Sequence, residues 1–341
     1  MSERTIGRRD ALRITAVAGV SAAFGGSLVW GVLRQAGLHR VSETRTRMGT
    51  VVTITVVHPE LEEARQMVAA SLEEMQRLED VLSRHRSDTP MGRLNAAGRL
   101  AVPPPELVEL LVASAEYARL SDGAFDVTVA PLLDLYESSF RLRGGPPTDP
   151  EVDAALELVD FRAVQVDDQV ISFDDARMSV TLDGIAKGYI VDRTIDVLVA
   201  RGSERVMVNA GGDMATGGPG SATDPWTIGI QDPHVANDYV GLARLGGECI
   251  ATSGDYMRSF TEDRRHHHII DPRTGRSPIH TSSVSIVTGS AMDADALSTA
   301  VLVLGPEAGV ALIDRISGAE GVIVTKGGDR VRSSGLGRHL A

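Results

Sequence analysis

The chain predicts an α+β fold of mixed sheets and packed helices, on three observations. Runs of alternating β-branched residues interleave with amphipathic runs spaced three to four residues apart. They do so without the regular strand–helix–strand alternation that builds a doubly wound sheet. No internal repeat is present, so the roughly 300 residues after the first forty make one large domain or two intimately packed ones, with a substantial core.

The first forty residues stand apart from that domain, which is taken as 41–341. Arg8 and Arg9 precede an apolar run over 14–33, broken only by Thr15, Ser21, Ser27 and small glycines. A basic pair before such a run reads as an export signal of the twin-arginine type. Ala11 replaces the bulky residue expected two positions after the pair, which leaves an ordinary secretory signal as the alternative. The run is long enough to span a bilayer if retained, and no clear Ala-x-Ala site follows it, so cleaved and anchored forms both stay open. No cysteine lies near it to carry a lipid. The expected location is exported: periplasmic, or on the outer face of the cytoplasmic membrane, with inner-membrane association through this segment in the anchored form.

The elements follow in order. Residues 48–57 alternate as a strand; 59–82 place Met67, Val68, Leu72, Met75, Leu78 and Leu82 on one helical face. The polar stretch 83–95 reads as a loop and 104–120 as a second helix. Strands are expected through 164–182 around the Asp167-Asp168 turn, then a helix over 184–200 and a strand over 205–208. Further strands are placed at 226–230, 240–245, 267–270 and 284–288. Helices at 291–304 and 306–316 and a strand at 321–324 close the chain. The Gly/Pro-rich pieces 144–150 and 217–225 read as surface loops.

The formal net charge is −12, and the first forty residues hold six arginines against two acids, so the remainder carries −16 by the same count. Nucleic acid is therefore not an expected partner. An acidic protein that binds a phosphate ligand needs a local device against repulsion, and a divalent metal is the usual one. The single cysteine, Cys249, can form no internal disulfide and is a poor candidate nucleophile.

Three segments carry chemistry. In Val180–Asp192 an apolar run enters a helix through a small-residue turn. There Gly184 and Gly188 admit a close backbone approach, helical amides are free, and Lys187 adds a mobile cation. The spacing is not that of a Walker A loop; tight packing is the plain alternative. In 293–299, Asp295 and Thr299 are four apart and project from one helical face, a carboxylate and a hydroxyl of the kind Mg²⁺ prefers. The structural alternative is capping by Asp293 and a buried Asp295–Thr299 hydrogen bond. In His266-His267-His268 successive residues on a strand alternate faces, so the three cannot chelate one metal. His268 is the candidate general base or phosphate ligand, and Asp271 to Gly275 forms a tight turn.

Taken in order, eight segments resemble the ApbE family, the FAD:protein FMN transferases. They are Met48-Gly49-Thr50, the stretch from Ser83 to Asn95, Asp122–Leu132, the Gly184 block, Val208–Asp213, Ala251–Tyr256, His268–Gly275 and Ala294–Thr299. Each is weak alone. The resemblance implies an ApbE-like fold, with Met48, Ala124, Phe125, Asp126, Lys187 and Ile269 at FAD-contacting positions. It implies a magnesium site from the Gly184 carbonyl, Asp295 and Thr299, and a histidine, His268, that helps activate the acceptor hydroxyl. Two departures stand out. His85 replaces the usual Tyr or Trp, where imidazole can still stack on the ligand. Thr181 stands where many members have aspartate, and Asp183 replaces a small residue, so these two are secondary contact candidates.

The implied reaction is transfer of FMN from FAD to a Thr or Ser hydroxyl of an exported flavoprotein acceptor, with release of AMP and dependence on Mg²⁺. Lys187 would assist the pyrophosphate. Two alternatives accompany it: an FAD pyrophosphatase giving FMN and AMP, and a non-catalytic flavin-binding maturation factor for an exported redox complex.

Overall fold

The computed structural model describes residues 37–340. The export signal or anchor expected over 1–40 lies outside the described residues up to position 36, and the first strand begins at His39, inside the expected segment. Among the described residues no helix is long and apolar enough to cross a membrane.

Strands β1 (His39–Arg47) and β2 (Thr50–His58) form a hairpin in which Arg47 faces Thr50. Its two-residue turn is Met48-Gly49, both left-handed at φ 50° and 69°, the backbone twist that suits tight hairpins. The sequence pattern shows only one strand here, because β1 is charged and mostly exposed. Helix α1 (Leu61–Leu82) follows, then α2 (Pro90–Ala97), β3 (Arg99–Ala101), α3 (Pro105–Leu120), α4 (Ala130–Arg143) and α5 (Asp149–Leu156). Next come β4 (Val164–Val166), β5 (Val170–Phe173), α6 (Ala186–Ala200), β6 (Arg205–Ala210), β7 (Asp213–Gly217) and a short α7 (Pro219–Thr223). The chain closes with β8 (Trp226–Gln231), β9 (Tyr239–Leu245), β10 (Cys249–Gly254), β11 (Thr281–Thr288), α8 (Ala291–Leu304), α9 (Pro306–Arg315), β12 (Glu320–Thr325) and β13 (Arg330–Arg332).

Eight strands make one antiparallel sheet in the order β1-β2-β6-β7-β10-β11-β12-β13. The period of two sorts its side chains onto two faces. Val206, Val208, Ala251, Val284 and Ile286 join the main core beneath α1, α6 and α8. Met207, Ile250, Val287 and Val322 face the other way, against Trp226, Ile228 and Leu245 of the β8–β9 hairpin. The result is an α+β architecture with helices on one face of an antiparallel sheet. Helix α1 buries Met67, Val68, Met75, Leu78 and Leu82, each contributing about 1.5–3 kcal/mol by leaving water. Central α8 is buried nearly all round, and its alanines 294, 296 and 300 let neighbours approach closely.

Several expectations are corrected. The stretch read as a loop over 83–95 contains most of α2, started by Thr89, whose hydroxyl accepts from Gly92 N at 2.9 Å, and ended by left-handed Gly98 at φ 66°. Helices α4 and α5 were not foreseen, and α5 begins inside the piece read as loop, at a capping box of Thr148 and Glu151. Strand structure over 164–182 stops at Phe173. Beyond it, the Asn95 amide satisfies Val180 in both directions at 2.8 and 2.9 Å, so side-chain bonds replace a ladder. Residues 267–270 are not a strand; only isolated bridges at Ser259–His267 and Asp271–Arg276 occur there. Cys249 is a buried free thiol, and burial with Asp192 beside it pushes its pKa up, which makes it unreactive as expected.

Candidate active site

The site forms where the N-termini of α6 and α8 meet. Gly188 sits at the crossing: a Cβ there would run into Ala291 O and lie 2.8 Å from Met292 Cα. The two helices cap each other. Asp192 of α6 accepts from Ala291 N at 2.8 Å, Met292 N at 2.9 Å and Ser290 Oγ at 2.8 Å. Asp295 of α8 accepts in return from Gly188 N at 3.0 Å. Free amides at helix starts and negative side chains favour each other, so the reciprocal capping fixes both helix ends.

This lock brings the expected metal set together. Asp295 and Thr299 lie a turn apart on α8, and the Gly184 backbone packs on Thr299, where a Cβ would be 3.1 Å from Oγ1 and 3.3 Å from Phe125 Cε2. The structural alternative of an Asp295–Thr299 bond does not hold: the Thr299 hydroxyl pairs with Ser253 Oγ at 3.1 Å, and Ser253 also meets Ser298 at 2.8 Å. Nor does Asp293 cap α8. Ser290 does so, while Asp293 accepts from Tyr117 OH at 2.7 Å.

Lys187 forms an ion pair with Asp213, a residue only 1% exposed whose Oδ1 is buried without a partner. Burial works against the Lys187 ammonium, but the carboxylates of Asp213 and Asp295 outweigh it and hold its pKa above the ordinary lysine value. Burial and then the Asp213 charge lift the Asp295 carboxyl well above the usual carboxylate range, against the pull of Lys187. Two buried carboxylates thus face one ammonium, an excess of negative charge that a cation would relieve.

Among the described residues no three His, Cys, Asp or Glu side chains converge to hold a metal. An all-protein cage is therefore absent. What is present is a hard-oxygen pair, the Asp295 carboxylate and the half-buried Thr299 hydroxyl, beside the Gly184 backbone. That set fits Mg²⁺, which keeps waters and takes substrate phosphate oxygens; it lacks the nitrogen and sulfur donors that zinc prefers.

His268 is half-buried in the segment before the Asp271 turn. Its Nδ1 lies 3.1 Å from Arg258 O, and since a carbonyl only accepts, Nδ1 carries the proton and Nε2 keeps its lone pair. Burial, with His267 and Arg258 adding to it, pushes its pKa down to about 4, so the ring is neutral at pH 7. The other two histidines do different work. His267 is fully buried with Nε2 on Pro278 O at 3.0 Å, and His266 packs 6.1 Å from the Tyr136 ring and 5.6 Å from Phe140.

The remaining expected contacts separate. Ala124 and Phe125 are buried, with Phe125 edge-on to Tyr117 at 6.1 Å and against Gly184. Met48 packs on the main core from the β1–β2 turn, and Ile269 is buried in that same core. Asp126 is a cap: Oδ1 accepts from Thr128 N and Oγ1, Oδ2 from Phe161 N at 3.0 Å, so its carboxylate serves the fold. Buried Thr181 accepts from Asp183 N at 3.2 Å, closing a local turn. Asp183 is exposed at the rim, 3.6 Å from Arg84 Nε, and Arg84 also bonds Asp134 at 3.0 Å. His85 is exposed beside Arg84.

Four residues at or near this site have no role in the patterns above: Asp192, Asp213, Ser253 and Arg84. For Asp213 a signal existed. The two-residue Gly211-Gly212 turn, at φ 66° and 114°, pairs Ala210 with Asp213, so an acid sits at a hairpin mouth where a polar residue has no structural need.

Known proteins bear on this geometry. The model of the ApbE family matches residues 48–323. Proteins named FAD:protein FMN transferase from Treponema pallidum and Vibrio cholerae are 35% and 33% identical over 292 and 276 residues, with 78% of this chain covered in both and 80% and 82% of those proteins. The solved ApbE protein of Thermotoga maritima superposes with a TM-score of 0.80 at 31% identity, covering 89% of this chain and 100% of that one. The flavin transferase ApbE of Vibrio cholerae gives 0.78 at 29% identity, covering 89% and 100%. A match running through the β1–β2 turn, the α6 junction and α8 alike is one of whole architecture, and by it the chain belongs to the ApbE family.

Proposed function

We propose that the protein is an FAD:protein FMN transferase, moving FMN from FAD to a Thr or Ser hydroxyl of an exported acceptor protein and releasing AMP. The observation that carries this reading is the over-negative, oxygen-rich cluster of Asp213, Asp295 and Thr299 at two helix starts, and His268, a neutral histidine with an unprotonated Nε2, is the candidate base. The relatives named above carry that activity in their names. In the reaction the acceptor oxygen forms a bond to the flavin-side phosphorus while the bond from that phosphorus to the bridging oxygen breaks, and AMP departs with that oxygen.

His268 Nε2 takes the hydroxyl proton as the new bond forms, with Arg258 O holding the ring in the required tautomer. Lys187, kept charged by its carboxylate neighbours, faces the pyrophosphate. Asp295, Thr299 and the Gly184 carbonyl would hold Mg²⁺, which when bound offsets the negative charge on the pyrophosphate oxygens. Phe125 and Met48 would offer apolar contact to the ligand's ring systems, with Ala124, Ile269 and His85 as further contacts and, secondarily, buried Thr181 and Asp183 at the rim. The protein would act outside the cytoplasm, in the periplasm or on the outer face of the cytoplasmic membrane, if residues 1–40 act as the signal. Water in place of the acceptor would give FMN and AMP from the same site, and the half-buried His268 is accessible enough for that second reading.

His268→Asn tests the chemistry. Transfer is expected to fall by about 10²–10⁴-fold with FAD affinity retained; an unchanged rate would remove His268 as the base. The pH profile separates the two groups. With a pKa near 4, His268 stays neutral across the working range, whereas the raised Asp295 carboxyl binds protons where an ordinary one would not. Lowering pH from about 8 to about 6 should therefore raise the Mg²⁺ concentration needed for half-maximal rate, and saturating Mg²⁺ should restore it. An acid limb indifferent to Mg²⁺ would mean another group sets it.

A further inference from the structure

The ammonium of Lys187 is bonded to the Asp213 carboxylate and feels the charge of a second one, Asp295. Its partner is Asp213 Oδ2, on the first residue of β7. The Asp295 carboxylate is anchored at the adjacent residue by Gly188 N at 3.0 Å. Asp213 is 1% and Asp295 4% exposed, so neither charge is dispersed by solvent. Asp213 stands at the mouth of the tight Gly211-Gly212 hairpin, paired across it with Ala210, which fixes its position independently of either helix. Its second oxygen, Oδ1, is buried and unpartnered, so the carboxylate is not there to satisfy the fold's own donors.

We propose that Asp213 is a positioning residue that holds Lys187 off Asp295, keeping the Asp295 carboxylate open to a divalent cation. The inference rests on the magnesium reading of Asp295 given above. Without a competing anion, a lysine one residue from the Gly188 amide would pair with Asp295 itself, since a buried carboxylate attracts the nearest free ammonium. A cation would then have to displace that ammonium. With Asp213 present, Lys187 stays charged and beside the ligand's phosphates, and Asp295 is left with one amide bond and free lone pairs. One carboxylate serves the lysine and the other the metal. Asp213 thereby sets cation affinity without touching the cation.

The test uses Mn²⁺ as the probe for the Mg²⁺ site, with free Mn²⁺ read by electron paramagnetic resonance on the full chain, in the presence and absence of FAD. Asp213→Asn should weaken Mn²⁺ binding by about tenfold or more, because Lys187 swings to Asp295. Asp213→Asn combined with Lys187→Gln should recover affinity to within about threefold of Lys187→Gln alone, a rescue that neither a purely structural role nor direct ligation would give. Lys187→Gln alone, which leaves Asp213 intact, should bind Mn²⁺ without FAD at least as tightly as the wild type; it keeps the proposal testable if Asp213→Asn does not fold. Unaltered binding in Asp213→Asn, a loss that persists in the double variant, or weakened binding in Lys187→Gln overturns the proposal. A wild type that binds no Mn²⁺ with or without FAD removes the magnesium reading and this proposal together, while wild-type binding with an unaffected Asp213→Asn removes only the proposal.

Discussion

Asp295→Ala is expected to lower FMN transfer by about 10³-fold or more and to erase the dependence of the residual rate on Mg²⁺. The same substitution should not destabilise the metal-free protein at neutral pH. The folded-state pKa of Asp295 is raised above its unfolded value, so the ionised group costs stability. That cost is complete above the folded pKa and vanishes as pH falls below the unfolded one. Removing the carboxylate removes its repulsion with Asp213 at the expense of one bond to Gly188 N. Thermal unfolding without metal should therefore show a Tm equal to or above that of the wild type, alongside lost activity. Activity retained at wild-type level would take the metal assignment away from this residue.

Gly188→Ala should have the largest effect on stability among single-methyl changes at the site. Its Cβ would meet backbone on α8, Ala291 O and Met292 Cα, and neither is a flexible side chain that can turn aside. Forcing the helices apart should cost about 2–3 kcal/mol, visible as a lower denaturant midpoint at unchanged m value. The displacement also stretches the Gly188–Asp295 and Asp192–Ala291 bonds, so the surviving folded protein should need more Mg²⁺. Gly184→Ala is the useful contrast. Its Cβ would approach the Thr299 side chain at 3.1 Å, which can yield by a rotation, so the fold should suffer less while the proposed metal set is disturbed directly. Equal stability of Gly188→Ala and wild type would mean that α6 and α8 do not lock at this point.

The sequence was most legible where local pattern and tertiary environment agree. Helix α1 shows its apolar stripe in Met67, Met75, Leu78 and Leu82, and β6 and β11 alternate β-branched residues. It was least legible where satisfaction of the backbone comes from elsewhere. The Val180 region has a strand's composition, yet Asn95 and Val127 take up its hydrogen bonds, a partnership that no local pattern announces. Strand β1 carries mostly polar residues because one edge of it faces solvent, and the α4–α5 pair is held by a small satellite core around Tyr136 and Val152. At the site, the i, i+4 spacing on one helix made Asp295 and Thr299 visible, and the small residues around Gly184 flagged the junction. Asp213 belongs to the same site through a hairpin 26 residues from Lys187, and only folding shows that their side chains meet. Asp126 illustrates the converse: a carboxylate in an expected ligand-contact stretch whose oxygens are all occupied by the backbone and hydroxyl of its own turn and by Phe161.

Transfer of FMN to protein is what sets this site apart from a hydrolase or a carrier. The most direct measurement is intact-mass analysis of an exported candidate acceptor after incubation with the enzyme, FAD and Mg²⁺, with the nucleotide products followed in parallel. An FMN-sized mass increment on the acceptor is expected, matched by AMP release and absent in Asp295→Ala. Free FMN and AMP with an unmodified acceptor would contradict transfer in favour of hydrolysis, and unchanged FAD would contradict catalysis altogether.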